Sequence, residues 1–510
     1  MTMAKPLSTK PVTIRFTKRV FDGVRKHLFR DELEEICFIF CQVVESPTKL
    51  IFLANHVVTL DPACYIRRSR TSIVIDPRAK NAVYHRFVES PYTGLINCHS
   101  HPFENGAVRF SPTDDTDDSR EMAWQCDQLP RGKQALGQNT QVHVLSMVFG
   151  QKTLDARGYS YRPGRPPTLP PIEKVQVLDE TIRILTPTGG KPAPRLSAQA
   201  LATYDRQIMA FGEEGHRVLA SLRIGLAGCG GVGSVSAKAL CQLGARSLVL
   251  IDPDYLGQSN LNRWQGARPQ DVGQLKVEVL SRHLKDMVPE MKITAIPSRL
   301  NSIKAIRALK ACDVLIGAVD NHLARFILNR LSVQYLIPFL DAASAITKRE
   351  SDNQMELFSR LGVVVPGTTA CLSCSQITYY DHKEIAPHLY DSQTRKKLIA
   401  LGYIQDHPEV ASPAVMPLNM LSSLMVLFEL LNLVTSFHPL ARSVAMDYLR
   451  PNATTLRSDS DNFPEGPSPD CLTCTGYLGT GDSEPLPTVD MRRYTRGRGK
   501  KTSSPQSLAI

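Results

Sequence analysis

Short, densely apolar runs recur along the chain, and they fall into two groups separated by a Pro- and Gly-rich break. In the first group, EEICFIFCQVV (Glu34–Val44) and GLIN (Gly94–Asn97) read as buried strands, and IEKVQVLDETIRILTP (Ile172–Pro187) alternates with the period of a strand. The second group opens with RIGLAG (Arg223–Gly228), an apolar strand that runs into the glycine loop GCGGVG (Gly228–Gly233). SVSAKALCQLGA follows as a helix ending near Gly244, and SLVLID (Ser247–Asp252) is the next strand. Strand, loop, helix and strand in that order predict the βαβ opening of a parallel, doubly wound sheet, which KITAIP and CDVLIGAVD extend. The longest apolar run, MPLNMLSSLMVLFELLNLV (Met416–Val434), carries Asn, Ser and Glu and predicts a buried helix rather than a membrane span.

The breaks divide the chain. YRPGRPPTLPP (Tyr161–Pro171) is a rigid loop, and TPTGGKPAPR (Thr186–Arg195) is the best linker. Beyond about Asp459 the chain turns polar and rich in Pro, Gly and Ser, apart from CLTC. The predicted organisation is an α/β domain over 1–187, a linker over 188–197, a second α/β domain over 198–478 and a disordered basic tail over 479–510. A hydrophobic content of 42% with 21% charged residues is globular composition. The net charge of +11 lies partly in RRYTRGRGKK (Arg492–Lys501), a solvated end. No aromatic-interleaved basic face points to nucleic acid. MTMAKPLSTKPVTIRF has no apolar core suited to a signal peptide. The twelve cysteines do not frame a secreted scaffold, so a reducing, cytoplasmic setting is expected, in which close cysteine pairs suggest a metal.

The first candidate chemistry lies in CHSHPFENGAVRFSPTDD (Cys98–Asp115). His99 and His101, two apart on a strand, share a face. With Asp114 they make two imidazoles and a carboxylate, which leaves a fourth tetrahedral position for water, the pattern of a catalytic zinc. Each part has a plainer reading. A lone H-x-H is more often a surface pair, and SPTD is also a helix start, with Ser111 as N-cap and Asp114 at the third position. Taken together, H-S-H-P, S-x-x-D and a glutamate before an apolar strand resemble the JAB/MPN (JAMM) metalloprotease family. The resemblance covers roughly Phe16–Pro187 and implies a cytidine-deaminase-like α/β fold. It implies His99, His101 and Asp114 as zinc ligands, Glu35 as general acid/base, and Ser111 as the group that polarises the scissile carbonyl. It further implies hydrolysis of peptide or isopeptide bonds after the C-terminus of ubiquitin-like proteins. The stretch from His101 to Ser111 is longer than usual for that family, and Phe38 and Cys41 stand where it often has small residues.

The second candidate chemistry follows the glycine loop. By itself the loop suits any phosphate, and Asp252 suits a ribose hydroxyl, which is equally the reading of an NAD-binding domain. The next segment, IDPDYLGQSNLNRWQGARPQDVGQLKVE, places Asn260, Arg263 and Lys276 together, which suits a triphosphate and a leaving pyrophosphate better than hydride transfer. Asp320, in GAVDN after a strand, is placed for Mg²⁺. This block resembles the ThiF/MoeB/ubiquitin-activating-enzyme family over roughly Ser197–Arg450, and to Cys474 with its cysteines. The resemblance implies adenylation of the C-terminal carboxylate of a ubiquitin-like protein with ATP and Mg²⁺ held by Gly228, Gly230, Gly231, Gly233, Asp252, Asn260, Arg263, Lys276 and Asp320. YDRQIMAFGEEG (Tyr204–Gly215) resembles the family's opening motif, in which Arg206 reaches the ATP of the opposite subunit and implies a homodimer.

Cys371-x-x-Cys374 and Cys471-x-x-Cys474 have the spacing of a closed structural zinc site; four free thiols or a redox pair is the alternative. Conjugating members of the family carry a thioester-forming cysteine after the first pair. Here no cysteine lies between Cys374 and Cys471, and Ser412, in the matching region, is a weak nucleophile. Cys229, Cys241 and Cys312 read as structural. The expectation is therefore a fused protein using ATP, Mg²⁺ and two Zn²⁺, one catalytic and one structural. Its partners would be a ubiquitin-like or sulfur-carrier protein and a conjugating enzyme. Such a fusion is similar to bacterial ubiquitin-like systems, some tied to phage defence. Activation of a sulfur carrier for thiocarboxylate formation in cofactor or amino-acid synthesis is the second reading, and a non-catalytic docking module for a conjugating enzyme is the third.

Overall fold

The computed structural model describes residues 10–159, 172–190, 196–348, 355–378, 413–437, 444–448, 457–459 and 463–487. The Pro-rich loop at Tyr161–Pro171, the end of the Thr186–Arg195 linker, Ser412 and the basic tail from 488 onward lie outside the described residues.

The first half is built from β1 (Val12–Thr17), α1 (Lys18–Leu28), β2 (Ile36–Glu45), β3 (Leu50–Thr59), β4 (Tyr65–Arg68) and β5 (Ile73–Ile75). It continues with α2 (Pro77–Glu89), β6 (Gly94–Ser100), α3 (Pro112–Ala135), β7 (His143–Phe149), β8 (Leu154–Gly158), β9 (Lys174–Leu178) and β10 (Ile182–Leu185). Eight strands form one mixed sheet in the order β10-β9-β1-β3-β2-β6-β7-β8, and β4 and β5 make a separate hairpin. Helix α1 starts where Thr17 Oγ1 accepts from Val20 N, and it buries Phe21, Val24 and Leu28 against one face. On the other face α2 and α3 pack on Phe38, Phe40 and Leu95. Alternation along β2 thus sends Phe38 and Phe40 to one core and Cys37, Ile39 and Cys41 to the other.

The second half contains α4 (Ala198–Thr203), α5 (Asp205–Ser221), β11 (Arg223–Ala227), α6 (Gly231–Leu243), β12 (Ser247–Ile251), α7 (Lys276–Met287) and β13 (Lys292–Ile296). There follow α8 (Ile303–Leu309), β14 (Val314–Gly317), α9 (His322–Tyr335), β15 (Phe339–Lys348), β16 (Met355–Val364), α10 (Met416–Thr435), β17 (Val444–Tyr448), β18 (Arg457–Asp459) and α11 (Leu472–Gly476). The sheet order is β13-β12-β11-β14-β15-β16-β17-β18. The first five strands are parallel, as the βαβ opening predicts, and β16 to β18 extend the sheet antiparallel. Helix α10 is only partly the buried helix expected: Met420, Leu424 and Phe428 form an exposed stripe along it.

The halves meet along a buried seam. Arg15 of β1 is fully buried and donates to the carbonyls of Cys312 (2.6 Å), in the turn between α8 and β14, and Tyr335 (2.8 Å), the last residue of α9. Asp313 meets Lys49 at 3.2 Å and Lys174 at 2.9 Å, and accepts from Arg223 N. Residues 479–487, expected to belong to the disordered tail, are packed into this seam. Asn55 donates to Gly479 O, Lys310 and Tyr335 hold Asp482, and Leu486 is buried. A segment that looks polar in sequence is ordered because both halves supply its partners.

Candidate functional site

The histidine site forms at the C-terminal end of β6. His99 and His101 point to one side, and the start of α3 brings Asp114 between them. His99 Nε2 lies 3.3 Å from Asp114 Oδ1, and His101 Nε2 lies 3.4 Å from Asp114 Oδ2. Ligand atoms at about 2.0 Å around a tetrahedral zinc stand ~3.3 Å apart, so the spacing fits that ion. His99 Nε2 is buried and has no hydrogen-bond partner, as a ligand atom awaiting a metal would be. Ser111 caps α3: its Oγ accepts from Asp114 N, and Asp114 Oδ2 accepts from Ser111 N at 2.6 Å. The plain reading of SPTD as a helix start therefore holds, and the cap also orients the carboxylate. Burial alone would raise the Asp114 pKa, but His101, His99 and the Ser111 N–H together hold it well below the usual range.

The glutamates correct the sequence reading. Glu35 does not face the histidines. Ile36 pairs with His99 across the antiparallel β2–β6 ladder, and Glu35 lies opposite Ser100, whose Oγ accepts from Glu35 N. Side chains alternate along a strand, so Glu35 takes the opposite side of the sheet and Glu34 takes the histidine side. Glu34 is 7% exposed; burial raises its pKa, and the charges of His101 and His99 act on it in the opposite sense. The consecutive glutamates and the parity of His99 and His101 were the available signal.

At the glycine loop, β11 ends in Gly228 with φ 89°, and a side chain there would put Cβ 2.2 Å from Ala318 O. A Cβ on Gly233 would lie 1.9 Å from Gly228 O, so the loop closes tightly onto the start of α6. Gly230 is the N-cap of α6 and Gly231 its first residue. Asp252, at the end of β12, accepts from Cys229 N (2.7 Å) and Asp254 N (2.8 Å), and burial raises its pKa against the pull of Lys276. Lys276 pairs with Asp254 at 2.8 Å. Asn260 Oδ1 accepts from Gly257 N, and Arg263 donates to Ser259 O. Asp320 is exposed after β14, just before α9 begins at its N-cap Asn321. Arg206 has a side chain 95% exposed and does not join this cluster within the chain. Sequence reading missed two braces. Trp264 Nε1 donates to Cys229 O at 2.7 Å, and Asn419 of α10 lies against Gly231. It also missed the fully buried Asp341, which Arg325 and Arg360 contact beneath the Asp320 turn.

The two cysteine pairs converge although Cys371 and Cys471 are far apart in sequence. Sγ–Sγ distances are 3.8 Å for Cys371–Cys374, 3.7 Å for Cys371–Cys471 and 3.6 Å for Cys374–Cys474. Thiolates at 2.3 Å around a tetrahedral zinc stand ~3.8 Å apart, so these four also fit that ion. Asn329 of α9 donates to Cys371 Sγ, and Ser468 N donates to Cys374 Sγ.

Comparisons with known proteins fall on the second half. The chain is 29% identical over 166 residues to the adenylyltransferase and sulfurtransferase MOCS3 of Drosophila virilis, covering 32% of this chain and 36% of that protein. It is 29% identical over 150 residues to the SAMP-activating enzyme E1 of Haloferax volcanii, covering 29% and 56%. With the sulfur carrier protein ThiS adenylyltransferase of Bacillus subtilis it is 28% identical over 175 residues, covering 34% and 49%. The chain thus spans between about a third and just over half the length of these relatives. Among solved structures, E. coli MccB with ATP is 20% identical with a TM-score of 0.41, covering 53% of this chain and 74% of that one. The ThiF family profile matches residues 204–473, more than half of the chain, and the chain belongs to the ThiF family.

Proposed function

We propose that this chain carries two activities directed at one chemical group, the C-terminal carboxyl of a ubiquitin-like or sulfur-carrier protein. The ThiF half adenylates it. A carboxylate oxygen attacks the α-phosphorus of ATP, the bond from that phosphorus to the bridging oxygen breaks, and pyrophosphate leaves. Backbone amides of the Gly228–Gly233 loop and the N-terminus of α6 face the phosphates. Asp252 would take a ribose hydroxyl, Asn260, Arg263 and Lys276 would balance the leaving pyrophosphate, and Asp320 would hold Mg²⁺. The observation that carries this reading is the closed loop with Asp252, at the end of parallel strand β12, and Lys276, at the start of α7, converging beside it. Pairing with a second copy is supported by the exposed stripe of Met420, Leu424 and Phe428 together with exposed Arg206 and Met209.

The N-terminal half, read as a JAMM-type hydrolase, cleaves the peptide or isopeptide bond that follows the same carboxyl. His99, His101 and Asp114 would hold the zinc ion, which supplies Lewis-acid polarisation and an acidified water. Glu34, in place of Glu35, is the carboxyl on that side of the sheet and would hold and return the proton as general acid/base. Ser111 Oγ accepts from Asp114 N, so its O–H is available to donate to the scissile carbonyl.

A second reading, sulfur transfer, is favoured by one observation: no cysteine lies between Cys374 and Cys471, and Cys229, Cys241 and Cys312 are buried. The ThiF half then stops at the acyl-adenylate, and a partner's thiol or sulfur donor takes the acyl group. The test is exchange of labelled pyrophosphate into ATP with the ubiquitin-like protein encoded nearest this gene. Exchange that needs the partner and Arg263 supports adenylation; absence of exchange with every such partner would sink it. Thioester formation on this chain would remove the sulfur-transfer reading.

A further inference from the structure

Glu35 is fully buried, ionisable and unused by the proposed chemistry, yet it stands at the centre of a dense set of contacts. Arg30 reaches its Oε2 at 2.5 Å and Arg68 at 3.0 Å. His27 Nε2 lies 3.6 Å from Oε1, Ile36 N donates to Oε1 at 3.1 Å, and Tyr65 O–H donates to Oε1 as well. Burial alone would raise its pKa, but nearby His27 and the hydrogen bonds from Tyr65 O–H and Ile36 N keep it below the usual value. Two of these partners, Tyr65 and Arg68, belong to the β4–β5 hairpin, and two, His27 and Arg30, belong to the end of α1 and the turn after it. The hairpin also grips the backbone beside the metal site: Glu34 N donates to Ser69 O at 2.9 Å, and Arg68 Nε donates to Glu34 O at 2.9 Å. Arg68 further pairs with Asp31.

We propose that Glu35 is a positioning residue, a buried latch that ties the β4–β5 hairpin to the α1 turn and thereby fixes Glu34 over the His99–His101–Asp114 site. The inference rests on the hydrolase reading for its catalytic consequence but not for the latch itself. One carboxylate meets both elements, pairing with Arg30 after α1 and with Tyr65 and Arg68 of the hairpin, and Arg68 and Ser69 of the same hairpin bond the Glu34 backbone. Removing the negative charge leaves Arg30 and Arg68 facing each other across the seam of the hairpin, so the hairpin loosens while His99, His101 and Asp114, at the end of β6 and the start of α3, stay in place.

The experiment compares Glu35→Gln, Tyr65→Phe and Glu34→Gln in the full chain, by amide hydrogen exchange, zinc content and hydrolysis of a ubiquitin-like protein with a C-terminal extension. Glu35→Gln and Tyr65→Phe are expected to speed exchange across residues 65–75, keep zinc, and lower kcat/KM by roughly 10–100-fold with KM rising. Glu34→Gln is expected to leave exchange at the hairpin unchanged and to lower kcat alone. The proposal is overturned if Glu35→Gln leaves hairpin exchange at the wild-type rate, whether or not hydrolysis is lost. Tyr65→Phe, which touches the latch from the hairpin side, keeps the test decisive if Glu35→Gln fails to fold: unchanged exchange in that variant also overturns it. If the wild type cleaves no such partner, the hydrolase reading falls, and the exchange result still decides the latch.

Discussion

Glu34 and Glu35 are consecutive, and they sit on opposite sides of one sheet. Glu34 shares a side with His99 and His101, and Glu35 lies opposite Ser100 within a ring of His27, Arg30, Tyr65 and Arg68. The period of two along a strand decides which carboxyl can serve the metal. Glu34→Gln is therefore expected to lower hydrolysis by roughly 100-fold or more while zinc stays bound. Zinc analysis with steady-state rates checks this, and full activity in that variant would return the role to another group.

The two candidate metal sites share no side chain. On the proposed two-zinc reading, His101→Ala is expected to remove one of two zinc ions and to stop hydrolysis, with pyrophosphate exchange unaffected. Cys371→Ser is expected to do the reverse, because Cys371 is held by Asn329 of α9, the helix that begins beside Asp320. Metal analysis of the two purified variants checks both statements. Loss of both ions in either variant would contradict the separation.

Lys276 pairs with Asp254 and acts on the buried Asp252, so it orders the acidic end of β12 before any nucleotide arrives. Lys276→Ala is expected to lower partner-dependent exchange by roughly 10²–10³-fold, the scale of losing a charge that balances a transition state. Asp320→Asn is expected to shift the Mg²⁺ requirement upward. Titration of exchange rate against Mg²⁺ separates the two effects.

Asp313 is buried at the seam between the halves. Burial alone would raise its pKa, but Lys174, Lys49, Arg15 and the Arg223 N–H hold it far below the unfolded value near 3.8. A depressed carboxyl pKa contributes stability above the unfolded pKa and loses it as pH falls. Asp313→Asn leaves Lys49 and Lys174 without their buried partner and is expected to cost about 3 kcal/mol near neutral pH. Denaturant unfolding of wild type and variant should give a difference that is constant above about pH 5 and shrinks below about pH 4. A difference independent of pH would show that the charge of Asp313 is not what holds the seam.

Phe428 is 56% exposed in the middle of the α10 stripe. Phe428→Glu is expected to leave the fold intact and to convert a dimer to a monomer by sedimentation or scattering. Exchange activity should fall with it, because the proposed dimer is what would bring the exposed Arg206 to the partner's nucleotide. A variant that stays dimeric would place the contact elsewhere.

The apolar runs and the glycine loop were sufficient in sequence to define the βαβ opening and the parallel strands β11 to β14, and the H-x-H and C-x-x-C spacings marked the groups that the fold brings together as two candidate metal sites. Those features follow from local periodicity and from fixed spacings such as H-x-H and C-x-x-C, which geometry along one strand or turn enforces. Three things were decided only by tertiary contact. Which of Glu34 and Glu35 meets the histidines depended on the register of β2 against β6, and a shift of one residue exchanges them. The order of residues 479–487 depended on partners from both halves, Asn55 on one side and Lys310 and Tyr335 on the other. Arg15 reads in sequence as a charge in a strand, yet it is fully buried, because the carbonyls of Cys312, after α8, and Tyr335, at the end of α9, take its hydrogen bonds. Local pattern fixes which atoms a residue can offer, and only the packed chain fixes which partner stands close enough to accept them.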